Sequence, residues 1–121
     1  MPSREETVKD HKERLNRVLI YIQENIDKPL PLDALANIAC FSPFHFHRLF
    51  AAYVGETLND YIRRTRLEWA AMKLRQTERA ITDIALTCGY ETPAAFTKAF
   101  SQNFGKNPTE FRKSYYCNPS P

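Results

Sequence analysis

The chain repeats one stretch of itself, and that repeat confines what it can fold into. Leu32, Leu35 and Ala36 recur as Ile81, Ile84 and Ala85, and Phe41 recurs as Tyr90, all at an offset of 49 residues. Beyond the aromatic the offset is 50. Ser42, Pro43, Phe46, Phe50, Gly55 and Tyr61 recur as Thr92, Pro93, Phe96, Phe100, Gly105 and Phe111. The second copy therefore holds one extra residue in its turn. A period this long signals a duplicated supersecondary unit.

Each copy reads as a helix-turn-helix. Leu32, Leu35 and Ala36 form an i, i+3, i+4 stripe on a short helix, and Ala36 is small enough to let a second helix approach. Cys40 and Phe41 end that helix. Ser42 is placed as an N-cap, and Pro43 fits the first helical position, where its missing N–H costs nothing. Phe46, Leu49, Phe50 and Tyr53 give the stripe of the second helix, and Gly55 stops it. The second copy repeats this with Ile81, Ile84 and Ala85, a turn at Cys88-Gly89-Tyr90, Thr92 and Pro93 as cap and first residue, then Phe96, Phe100 and Gly105. The polar residues left on the outward face of each second helix are free to read something.

The flanking segments complete an all-α reading. Residues 1–6 look like a polar, frayed start. A long amphipathic helix over about Thr7 to Asn25 follows, with Leu15, Val18, Leu19, Ile22 and Ile26 as its apolar stripe. Lys28-Pro29-Leu30-Pro31 cannot stay helical. Between the copies, Asn59 to Gln76 is an uninterrupted helical pattern of roughly 27 Å. Leu58, Tyr61 and Ile62 can pack on the first copy, and Leu67, Ala70, Ala71 and Leu74 on the second. A last short helix starts near Pro108, and Tyr115 to Pro121 reads as a tail. The organisation is thus a first helix-turn-helix subdomain over 1–57, a linking helix over 58–77, and a second subdomain with its tail over 78–121.

Composition excludes several classes. The 121 residues suit one compact domain or two small subdomains sharing a connector. No stretch approaches a membrane span, and the N-terminus lacks the apolar run of a signal peptide. Three cysteines, Cys40, Cys88 and Cys117, without C-x-x-C spacing read as reduced thiols of a cytoplasmic protein. Cys40 and Cys88 read as buried small hydrophobes, with a redox sensor as the minor alternative. The net charge of +3 is carried wholly by residues 31–121, because residues 1–30 hold six basic and six acidic side chains. The densest basic run is Arg63-Arg64-Thr65-Arg66. It lies beside a candidate recognition helix, which favours phosphate contact over a merely solvated face.

The residues resemble the DNA-binding domain of the AraC/XylS family of transcription activators over roughly residues 9–115. The first half carries Leu32, Leu35, Ala36, then Ser42, His45, Phe46, Arg48 and Phe50, then Gly55 and Thr57. The connector carries Tyr61-Ile62, Arg66-Leu67, Ala70 and Leu74. The second half carries Ile81, Ile84-Ala85, Gly89-Tyr90, Phe96, Phe100, Phe104-Gly105, Pro108 and Phe111-Arg112. The resemblance implies a fold of seven helices in two subdomains, with recognition helices entering two successive major-groove segments of double-stranded DNA. It also implies activation through contact with RNA polymerase. A groove spacing of about 34 Å is compatible with the linking helix and the widths of its neighbours.

Candidate DNA-binding residues follow. Arg48 stands at the family's arginine on the first recognition helix, suited to guanine or phosphate. Phe44 and His47 share its outward face, and Phe44 can touch a thymine methyl. Thr97 and Lys98 are the candidates on the second recognition helix, where Ala94 and Ala95 offer only apolar contact and Lys98 aligns with Arg48. Arg63 and Arg64 are the phosphate candidates. His45 reads as a half-buried, hydrogen-bonded structural histidine. His45 and His47 point about 200° apart, which speaks against a metal site. No cofactor is expected, and Trp69 receives no role beyond packing.

Two other classes compete. One is the DNA-binding part of a repair or redox-sensing protein with a reactive cysteine, although no cysteine has a base at a recognisable spacing. The other is a helical adaptor for protein partners. The chain is expected to lack its own ligand sensor, because start and tail cannot enclose a pocket. Some relatives consist of this domain alone, whereas in others a GyrI-like drug-binding domain follows it. The tail ending Asn118-Pro119-Ser120-Pro121 reads as an interdomain linker, which favours a longer two-domain regulator.

Overall fold

A computed structural model describes residues 3–117. Among them are seven α-helices: α1 (Arg4–Glu24), α2 (Leu32–Ile38), α3 (Pro43–Val54), α4 (Leu58–Gln76), α5 (Ile81–Thr87), α6 (Pro93–Phe104) and α7 (Pro108–Tyr115), with no strand among the described residues. The chain divides into two compact units, Met1–Arg63 and Arg64–Pro121, and α4 runs through the division.

The first unit is built on α1. Helix α1 begins three residues before the Thr7 that the apolar stripe marks. Ser3 and Glu6 form a reciprocal capping box: the Glu6 N–H donates to Ser3 Oγ (3.1 Å) and the Ser3 N–H to the Glu6 carboxylate (3.2 Å). The polar start from Ser3 onward is therefore helix and not fray, because S-x-x-E satisfies two orphan N–H groups at once. Leu15, Val18, Ile22 and Ile26 are buried, and Leu19 is half-buried. Leu35 and Ala36 of α2, Phe46 and Phe50 of α3, and Leu58, Tyr61 and Ile62 of α4 are buried as well, and α2 packs against both α1 and α3. Leu32 and Tyr53, the outer members of their stripes, remain partly exposed, and Tyr53 donates its hydroxyl to Asn16 on α1 (3.1 Å).

The second unit repeats the arrangement. Leu67, Ala70, Ala71 and Leu74 of α4 pack with Ile84, Ala85, Cys88, Phe96 and Phe100. The likeness extends to ring geometry. Phe46 and Phe50 lie 5.8 Å apart, Phe96 and Phe100 5.7 Å. Tyr61 meets Phe50 edge-on at 5.6 Å, as Phe111 meets Phe100 at 5.2 Å.

The two turns show why the copies diverge. In the first, the Phe41 N–H donates to Ala36 O and the Cys40 N–H to Asn37 O, both 3.0 Å. In the second, the Tyr90 N–H donates to Ala85 O (3.1 Å) and the Gly89 N–H to Leu86 O (3.0 Å). Both are Schellman endings, which need a left-handed residue. Gly89 takes that conformation freely at φ 87°, whereas Cys40 occupies it at φ 59° as the one non-glycine with positive φ among the described residues. A side chain there costs about 1 kcal/mol. It also corrects the reading of Cys40 as a buried hydrophobe: the left-handed turn points its side chain outward, and the residue is exposed. The buried counterpart of Cys88 is Ala39, one residue earlier. Glu91 is the extra residue of the second copy, between Tyr90 and the cap Thr92.

The C-terminal segment is held more firmly than a tail. Tyr115 closes α7, and the Cys117 N–H donates to Arg75 O at the end of α4 (2.8 Å). Arg112 donates Nε to Leu74 O (3.2 Å) and Nη2 to Arg79 O (2.7 Å), satisfying carbonyls that the end of α4 and the following loop leave open. Asn118-Pro119-Ser120-Pro121 lies outside the described residues.

Candidate nucleic-acid interface

Each unit carries a candidate interface of its own, the outward face of α3 in the first and of α6 in the second. Their starts are alike. The His45 N–H donates to Ser42 Oγ (3.3 Å) ahead of Pro43, and the Ala95 N–H donates to Thr92 Oγ1 (3.1 Å) ahead of Pro93. Gly55 (φ 90°) and Gly105 (φ 77°) end them in the left-handed conformation. Each helix drives two phenylalanines into its core at 0% exposure, Phe46 and Phe50 in α3, Phe96 and Phe100 in α6. Helical spacing then fixes what faces outward. At matching positions these are Phe44 and Ala94, His47 and Thr97, Arg48 and Lys98.

On α3, Phe44, His47 and Arg48 are all exposed, and Phe44 is 73% exposed. The Arg48 guanidinium lies 5.8 Å from the centre of the Phe44 ring, one turn away. The pair presents a flat apolar surface beside a planar donor, which suits a thymine methyl next to a guanine edge. On α6, Lys98 is exposed and Thr97 half-buried, with Ala94 and Ala95 exposed in front of them. This face offers one cation and several methyl groups.

His45 is exposed, not half-buried as the sequence suggests. Its position in the first turn of α3 leaves it at the rim of the core. Its ring packs edge-on against Phe41 (5.3 Å) and lies 6.1 Å from the ring of His11 on α1. Among the described residues no cluster of His, Cys, Asp and Glu could hold a metal ion.

Arg63 and Arg64 sit on α4 in pairs with acidic neighbours of the same helix. Arg63 meets Asp60 at 3.0 Å and Arg64 meets Glu68 at 2.9 Å. Exposed pairs of this kind contribute little to stability. Trp69, left without a role by the sequence, is half-buried between Lys73 (5.6 Å) and Arg79 (5.4 Å). Arg14 on α1 also escaped the sequence reading. Its side chain, 19% exposed, reaches the α2–α3 turn. The i+4 ion pair with Asp10 was the only local signal for it.

Of the other two cysteines, Cys117 is exposed and Cys88 is buried. Burial pushes the Cys88 thiol up to about 12 from an ordinary 9.0, against the opposing pull of Arg66 and Arg79. No described helix is long and apolar enough to cross a membrane.

Two capped helices in a duplicated helix-turn-helix frame, each exposing a cation on its outward face, define a helix-turn-helix domain. A protein-family model described as a helix-turn-helix domain matches residues 35–114. The chain is 37% identical over 102 residues to the regulatory protein SoxS of Escherichia coli, covering 84% of this chain and 95% of SoxS. It is 38% identical over 97 residues to the right origin-binding protein of the same species, covering 80% of this chain and 34% of that protein. A crystal structure of a transcriptional regulator with an AraC-type DNA-binding domain, from Chromobacterium violaceum, superposes with a TM-score of 0.79 at 29% identity, covering 86% and 93% of the two chains. The chain belongs to the AraC/XylS family and is a DNA-binding transcription regulator.

Proposed function

We propose that the chain activates transcription as a non-enzymatic monomer, with α3 and α6 seated in two successive major-groove segments of duplex DNA. The observation that carries this reading is the pairing of outward positions on two reader helices of unlike chemistry within one chain. Arg48 reads a guanine edge and Phe44 and His47 flank it, while Thr97 and Lys98 serve the second segment. Arg63 and Arg64 exchange their carboxylate partners for phosphates. Unlike readers on one chain require an asymmetric site, because a palindrome needs two identical readers. RNA polymerase is the partner through which bound protein acts, in the cytoplasm.

Selection of bound duplexes from a random pool tests this. The expected product is one asymmetric site of about two helical turns, bound 1:1. A palindrome bound by two chains, or no enrichment at all, refutes it.

A further inference from the structure

Besides lacking a counterpart of Glu91, the turn that aims α3 has a side chain at the left-handed position where the turn before α6 has glycine, and an arginine from α1 braces it. Cys40 holds the left-handed position that Gly89 fills in the second copy. Arg14 donates Nε to Ala39 O (2.6 Å) and Nη2 to Cys40 O, the carbonyls of the turn itself. Its guanidinium also lies 3.7 Å from the centre of the Phe41 ring, and Asp10 holds its Nη1 at 3.0 Å. Phe41 in turn packs against His45 in the first turn of α3, the neighbour of Phe44. A continuous set of contacts therefore runs from α1 through the turn to the start of the reader helix. In the second copy an arginine also lies beside the turn, since a Cβ on Gly89 would lie 3.7 Å from Arg66 Nη1, but there the glycine needs no help with its φ.

We propose that Arg14 is a positioning residue for DNA reading by α3: it pins the strained Cys40 turn and so fixes the direction of Phe44, His47 and Arg48. Only one residue, Phe41, separates Cys40 from the cap Ser42. A change of backbone angle at Cys40 therefore swings the whole reader helix. Two carbonyls, one ring and one carboxylate engage four sides of a single guanidinium, a geometry that lysine cannot reproduce. This inference rests on the proposal that α3 reads DNA.

The test uses the full chain and the duplex selected by the wild type. The half-site read by α3 is identified as the one whose base preference Arg48→Ala relaxes. Arg14→Ala is expected to weaken binding about tenfold and to shrink discrimination against mismatches in the α3 half-site at least threefold. Discrimination in the other half should stay unchanged, which also reports that the variant is folded. Arg14→Lys should fall between the two. Cys40→Gly, which removes the strain, should recover part of the lost discrimination in the Arg14→Ala background and add little to the wild type. Unchanged discrimination in the α3 half, equal loss in both halves, or no rescue by Cys40→Gly would overturn the inference while leaving the DNA reading intact. Failure of the wild type to enrich any duplex would overturn both.

Discussion

Cys88 offers a prediction whose size can be worked from its burial. The thiolate is the reactive form of a cysteine. At pH 8 an ordinary thiol of pKa 9.0 is about one-tenth ionised, whereas a thiol held near 12 is ionised to about one part in ten thousand. Native Cys88 should therefore react with an aromatic disulfide reagent about a thousandfold more slowly than an ordinary exposed thiol, before its 5% exposure slows it further. The release of coloured thiolate should show two fast equivalents and one slow one, merging into three fast ones in denaturant. Cys88→Ala should abolish the slow phase alone, since Ala39 fills the matching place in the first copy. The same burial carries a stability consequence. Below about pH 9 both folded and unfolded states hold the neutral thiol, and the contribution is fully present. Between about pH 9 and 12 the unfolded thiol ionises and the folded one does not, so stability falls by about 1.4 kcal/mol per pH unit relative to Cys88→Ala. Three thiols reacting in one phase, or identical pH profiles of wild type and Cys88→Ala, would refute the reasoning and revive a redox-sensing role for this cysteine.

Further outcomes concern the interface and the fold. Arg48→Ala should cost about 1–3 kcal/mol on the selected duplex and relax preference at one or two base pairs, measured by competition binding; a uniform loss over all sequences would move Arg48 to the phosphate class. Removing the charge of Arg63 or Arg64 should weaken binding to every duplex alike and lower the salt slope by about one, and Lys98→Ala should behave similarly. A change of base preference with Lys98→Ala but not with Arg48→Ala would mean that the two halves have been assigned the wrong way round. Phe100→Ala, which empties the centre of the second core, should lower stability by about 3–5 kcal/mol in chemical denaturation; a loss under 1 kcal/mol would show that Phe96, Phe104 and Phe111 close the gap. Ser3→Ala should cost about 1 kcal/mol and fray the start of α1, seen as lost helical signal; an unchanged signal would mean that the capping box does not set where the helix starts.

The sequence by itself determined the helices, the duplication and the outward faces. These rest on local rules: i, i+3, i+4 spacing of Leu35, Phe46, Phe50 and their counterparts, caps at Ser42 and Thr92, stops at Gly55 and Gly105. Such signals act within a few residues, so the chain states them openly. The capping box at Ser3 and Glu6 was equally local and was written in the sequence, but a polar composition disguised it. Only the tertiary structure decided where Cys40 points, because its outward aim follows from a left-handed turn that glycine would announce and cysteine hides. Only the tertiary structure gave Arg14 its partners, 25 and 26 residues away, and tied Cys117 back to Arg75. For Arg14 and Cys117 the physical reason is the same. A backbone carbonyl left open at a helix end is satisfied by whichever donor the packing brings near, and no periodicity in the sequence marks that donor beforehand.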